Sequence, residues 1–208
     1  LAVDAVAVTI ANGLGFASRY TGPRGVVPLH RAVTTAAAYR DGSGRVVLAA
    51  LGETHVGIDA AVVEPAPWFT DSLSRLPDWH WEAAIDARVA GKFAINCIIN
   101  PLTAALGCRN GDLLAPGSAR RELHVLCEET EPALVDLGLW PAGKHLLDAV
   151  SAVCRATAAN RSSMLQDRTA GRATEIDFLT GELLRRAART GHALPRNAAL
   201  YAKLTARE

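Results

Sequence analysis

Lys92, Asn96 and Asn100 recur at i, i+4 and i+8 in the segment 92–102, KFAINCIINPL. On a helix that spacing places one ammonium and two amides in a single stripe. The positions between them, Phe93, Ala94, Ile95, Cys97, Ile98 and Ile99, are apolar. A helix so apolar elsewhere is a core helix, so the stripe faces protein or ligand more than bulk water. Burying such groups is costly without partners. A buried polar network satisfies them equally well in principle. Three aligned polar residues in so apolar a helix favour a site. A lysine held beside a carbonyl oxygen stabilises developing negative charge and donates a proton, while amides orient the substrate without adding charge.

Other segments carry polar groups that could join that stripe. Asn12-Gly13-Leu14-Gly15 follows an apolar, β-branched run and reads as a turn. It lacks the third glycine of the G-x-G-x-x-G fingerprint. Asn110-Gly111 reads as a second turn. Residues 161–167, RSSMLQD, and 171–177, GRATEID, offer Ser163 and Glu175. Thr174 with Asp177 reads as a capping box with Asp in place of Glu, and Glu175 suits a first helical turn by charge alone.

The elements that must position these groups divide near residue 84. Before it, 5–10 reads as a buried strand, and 33–58 as a small antiparallel meander turning at Asp41-Gly42-Ser43-Gly44. A helix over 71–76 stopped by Pro77 and a strand at 79–81 follow. From 84 the period becomes helical: 84–106 with Pro101 as a kink, 120–137 stopped by Gly138, 144–159, 162–169, and 174–190 stopped by Gly191. The expected fold class is thus α/β followed by all-α, with domains over 1–83 and 84–208.

Composition narrows the function classes. The 208 residues are 50% apolar, 5% aromatic and 21% charged, which suffices for a real core. Twenty-two Lys and Arg against 21 Asp and Glu leave a net charge of +1. That balance argues against nucleic-acid and membrane-surface partners, which favour a concentrated basic patch. The four cysteines form no C-x-x-C pair and read as buried thiols of a reducing compartment. No metal-ligand spacing occurs among the six histidines, so no metal is expected. No run of about 18 apolar residues suggests a membrane span, and a cytoplasmic location is the expectation.

K-x-x-x-N-x-x-x-N-P-L, Asn110-Gly111, S-S-M-L-Q-D and T-E-I-D, with Asn12-Gly13-Leu14-Gly15, Thr54-His55-Val56-Gly57, and Gly191, Pro195 and Asn197, resemble the ketopantoate reductases in order and spacing. The resemblance implies NADPH-dependent reduction of 2-dehydropantoate to (R)-pantoate, on the route to pantothenate and coenzyme A. It places Lys92 on the general acid and Asn96, Asn100, Asn110 and Ser163 on substrate-binding positions. Asn12 falls on a residue touching nicotinamide and substrate, Ala38 on a cofactor contact of the backbone, and Glu175 on a residue near the nicotinamide ribose that keeps Lys92 protonated. It further implies a Rossmann-type domain followed by a helical, 6-phosphogluconate-dehydrogenase-like domain. The family's first β-α-β units, with the G-x-G-x-x-G loop, have no counterpart in these residues, so 1–83 is expected to be the later part of that domain. Ala90 and Gly91 depart from the bulky and polar residues expected there and loosen the helix. A sibling reductase for another 2-keto acid, and a non-catalytic binding or dimerising module, are the alternatives; a homodimer is left open.

Overall fold

The computed structural model describes residues 7–14, 21–22, 25–26, 29–40, 42–58, 64–65, 67–73 and 78–206. Gly15, Asp41 and Pro77, named above as turn and stop residues, lie outside the described residues. The chain forms two compact units, Leu1–Ala11 with Phe16–Val89, and Asn12–Gly15 with Ala90–Glu208.

The first unit is built on strands β1 (Ala7–Thr9), β2 (Thr21–Gly22), β3 (Gly25–Val26), β4 (Leu29–Thr34), β5 (Ala37–Arg40), β6 (Val46–Ala50), β7 (Thr54–Ile58) and β8 (Trp79–Trp81), with helix α1 (Pro67–Leu73). A mixed sheet has the order β1-β4-β7-β8. Its outer pairs are parallel and its central pair, β4 with β7, is antiparallel from His30↔Ile58 to Thr34↔Thr54. Val56 is buried with Ala32 and Phe69, and Leu73 and Trp81 pack against them. The buried His30 ring stacks on Phe69 with centroids 4.5 Å apart. Burial lowers its pKa, which favours the neutral imidazole.

The single meander expected over 33–58 does not form. The chain breaks at Thr35-Ala36, and β5 and β6 make their own two-stranded ladder with a bulge at Ala37/Ala38. Between the two ladders the backbones approach closely: a Cβ at Gly52 would lie 2.4 Å from the Ala36 nitrogen. Thr35 donates its amide to the Glu53 carbonyl at 3.0 Å, which brings β7 directly beside β4.

The second unit is helical. It contains most of α2 (Ile85–Leu106), a 3-10 turn (Asn110–Leu114), α3 (Ser118–Asp136), α4 (Leu146–Ala156), α5 (Ser163–Thr169), a π turn (Asp177–Gly181) running into α6 (Glu182–Arg189), and α7 (Pro195–Thr205). Phe93, Ala94, Cys97, Ile98 and Leu102 of α2 are buried in one core with Leu123, Leu134, Leu146, Met164, Leu179 and Leu183. Each such large side chain contributes about 1.5–3 kcal/mol of burial free energy. The length and apolar composition of α2 would suit a membrane span, but its buried residues serve the core just described. It continues through Gly91 and Pro101 without a break in assignment.

Helical hydrogen bonding after Ile176 begins as a π turn at Asp177, whose carboxylate accepts from Arg185 Nη1 and the Tyr201 hydroxyl, each at 3.0 Å. One feature departs from expectation. Helix α7 lies beyond Gly191, where the sequence pattern assigns no helix. Pro195 sits at its first turn, as proline prefers. The Glu129 carboxylate of α3 accepts the amides of Arg196 and Asn197 at 2.8 and 2.9 Å, so the cap comes from far away in sequence.

All four cysteines are free thiols. Cys97, Cys127 and Cys154 are buried, and burial pushes the last two thiols up to about 12 and about 11. Titration with a chromogenic disulfide at neutral pH is therefore expected to modify Cys108 ahead of the other three, which react only after denaturation. Rapid release of more than one equivalent from the folded protein would contradict this packing.

Candidate active site

Helix α2 delivers the stripe as its spacing requires. Lys92 and Asn96 are half-buried and Asn100 is buried. The stripe meets polar groups from three other segments. Asn100 Nδ2 makes long hydrogen bonds, each 3.4 Å, to Ser163 Oγ and to Glu175 Oε1. Ser163 Oγ donates to the same carboxylate oxygen at 2.7 Å. Ser163 is the first residue of α5, whose N-cap is the buried Ser162: its hydroxyl accepts the Leu165 amide at 3.2 Å. Capping thus fixes the backbone that presents Ser163.

Glu175 precedes the π turn and supplies the negative charge of the cluster. Desolvation pulls the pKa of Lys92 below the ordinary lysine value, and the Glu175 carboxylate opposes that shift. Lys92 is therefore a stronger acid than a surface lysine, yet its charged form is supported by a nearby anion. That combination suits an ammonium that must release a proton to a developing alkoxide.

Asn12 joins the cluster from the far end of the chain. Its Oδ1 accepts from Asn96 Nδ2 at 3.4 Å. The turn carrying it is pinned to the π turn: Leu14 donates its amide to the Phe178 carbonyl at 3.3 Å. Gly13 has φ +96°, and a Cβ there would lie 2.4 Å from that same carbonyl oxygen. Only glycine satisfies both conditions.

Asn110 stands apart. Its Nδ2 donates to Thr157 Oγ1 at 2.9 Å, and its buried Oδ1 has no partner among the described residues. An adjoining glycine, Gly111, lies so near Ala158 that a Cβ would fall 2.7 Å from its Cβ. Ala38 is exposed on β5 of the first unit. Thr103, Thr157 and Ser162 escape a reading by spacing, because hydroxyls on apolar helices carry no periodic signal. Glu53, Asp78 and His80 are exposed and lie close enough to share an ion, and all three belong to the first unit.

The helical unit is thus organised around a cluster of lysine, amides, hydroxyl and carboxylate. The family described as the C-terminal part of ketopantoate reductase PanE/ApbA matches residues 84–208. The 2-dehydropantoate 2-reductase of Yersinia pestis is 43% identical over 178 residues, which is 85% of this chain and 57% of that protein. That of Salmonella typhimurium is 36% identical over 209 residues, covering 100% of this chain and 67% of the relative. The chain belongs to the ketopantoate reductase family. It spans a little over half the length of the Yersinia pestis relative.

Solved structures agree on the fold. The probable 2-dehydropantoate 2-reductase panE of Bacillus subtilis superposes with a TM-score of 0.76 at 25% identity, over 96% of this chain and 67% of that one. D-mandelate dehydrogenase with NADH gives 0.79 at 20% identity, over 95% and 68%. The sheet unit is accordingly part of a Rossmann-type domain, and the helical unit is the family's C-terminal domain.

The electrostatic pairing has a measurable consequence. Glu175→Gln removes the anion that opposes desolvation, so the Lys92 pKa moves further down. In a carbon-13 NMR titration of the labelled lysine side chain, deprotonation of Lys92 is expected at lower pH in E175Q than in wild type. An unchanged or higher midpoint would show that Glu175 does not act on Lys92.

Proposed function

We propose that this chain serves the NADPH-dependent reduction of 2-dehydropantoate to (R)-pantoate, with Lys92 as general acid. The observation that carries the reading is the cluster on α2 itself: an ammonium with a lowered pKa, two aligned amides, and Ser163 and Glu175 on the facing segments. Hydride addition to a ketone leaves negative charge on oxygen, and the Lys92 ammonium stabilises that charge and donates the proton. Asn96 and Asn100 orient an anionic 2-keto acid through neutral amide donors, which leaves the field of Lys92 undisturbed, and Ser163 lines the same site with its hydrogen given to Glu175. Asn110, with its open carbonyl acceptor, suits a substrate hydroxyl. Glu175 holds Ser163 and keeps Lys92 protonated.

NADPH supplies the hydride when bound. The fit at this end is polar: Asn12 shares the cluster with Asn96, so a carboxamide-bearing ring and the keto acid meet neighbouring amides. Glu175 stands near the nicotinamide ribose in this reading, and the backbone at Ala38 contributes a further contact. The pyrophosphate would need a glycine-rich loop, which no described segment supplies.

A second reading keeps the chemistry and changes the acid. The fold similarity to D-mandelate dehydrogenase favours a sibling reductase acting on a different 2-keto acid. Both readings are tested with the complete native protein. NADPH oxidation is expected only when ketopantoate is added, and Lys92→Ala is expected to lower kcat by about 10²- to 10⁴-fold. Wild-type turnover in K92A would remove Lys92 from the mechanism. A higher kcat/KM with an aryl 2-keto acid would select the sibling.

A further inference from the structure

The two arms of the carboxylate-facing cluster sit on different elements. Asn100 belongs to α2, and Ser163 opens α5, 63 residues later. Their mutual contact is long, 3.4 Å, so it does not by itself hold them in place. A shorter bond lies directly behind it. Thr103 Oγ1 and Ser162 Oγ are 2.7 Å apart and both residues are buried, Thr103 completely.

The hydrogens can be assigned by counting donors. Each hydroxyl donates once. Thr103 Oγ1 lies 2.7 Å from the Ile99 carbonyl oxygen and 3.1 Å from that of Asn100, so its hydrogen has an acceptor within α2. Ser162 Oγ already accepts the Leu165 amide. Its own hydrogen then points to Thr103. The result is one directed chain: Leu165 amide to Ser162, Ser162 to Thr103, Thr103 to α2 backbone. Every member is satisfied, and the chain crosses from the cap of α5 to the turn of α2 that carries Asn100.

We propose that Thr103 is a positioning residue: through Ser162 it sets the separation of Asn100 and Ser163, and so the affinity for the 2-keto acid. The assignment rests on the reductase reading of the site for its consequence, not for its geometry. Thr103 touches no substrate. It is one turn beyond Asn100 on α2, and its partner precedes Ser163 by one residue. Loss of the hydroxyl leaves the Ser162 hydrogen buried without an acceptor, and Ser162 must rotate or shift to satisfy it.

The test uses the complete native protein and Thr103→Val, which keeps the side-chain shape and deletes the hydroxyl. KM for ketopantoate is expected to rise about tenfold, with kcat and the KM for NADPH within about twofold. Thr103→Ser restores the hydroxyl and is expected to bring KM back. A purely structural role would lower the melting temperature and the yield but leave KM at the wild-type value. That result, or a T103S variant as impaired as T103V, overturns the proposal. Should T103V not accumulate, Thr103→Cys, whose sulfur is only a weak acceptor for the Ser162 hydrogen, takes its place with the same expected split. A crystal structure of the variant decides the geometry without any turnover. The Asn100–Ser163 contact is expected to open beyond hydrogen-bond reach, and an unchanged contact refutes the role of Thr103. If wild type fails to reduce ketopantoate while the contact opens as described, the reductase reading fails and the positioning role stands.

Discussion

The polar cluster of the helical unit depends on the partial burial of Lys92 in a largely apolar stretch of α2. Desolvation disfavours the ammonium, and the fold must answer with an anion or lose the charge. Glu175 is that anion, 83 residues further along the chain. Its own carboxylate is then constrained, because Ser163 and Asn100 donate to one of its oxygens. One desolvated cation thus goes with two polar groups, Ser163 and Glu175, that converge on Asn100 of the same helix from two other segments.

Convergence of that kind needs rigid supports, and the structure provides them by capping and close approach. Ser162 fixes the start of α5 and ties it to Thr103. Glu129 caps α7 from α3, and α7 in turn presents Tyr201 to Asp177 beneath the π turn. The π turn then accepts the Asn12 turn through the Phe178 carbonyl, where only a glycine fits. A π turn is a strained and uncommon element, and its use at a site follows a known tendency. Its extra residue gains support here from Arg185, which holds both the side chain and the carbonyl of Asp177.

The legibility of these features in the sequence tracks how local their causes are. The stripe on α2 and the stops at Gly138 and Gly191, at φ +67° and +80°, depend on neighbours within a turn or two. They were readable from spacing and residue type. Helix α7 was not, because its cap is contributed by Glu129, 67 and 68 positions away in the chain. The donation of Arg185 and Tyr201 to Asp177 was equally hidden, since neither residue lies within a helical turn of it. Within 33–58, β4 pairs with β7 and β5 with β6, and alternation along a strand carries no sign of which strand becomes its partner.

The sequence by itself determined that a lysine and two amides share one face of a core helix, since 3.6-residue periodicity makes that unavoidable. It also gives an expectation of two parts, over 1–83 and 84–208, because apolar periodicity changes near residue 84. Which polar groups meet that face was decided only by the tertiary structure. Asn12, Ser163 and Glu175 come from segments separated by up to 163 positions, and no local pattern encodes their distance. The physical reason is that electrostatic and hydrogen-bond satisfaction of a buried charge is a property of space, not of sequence order.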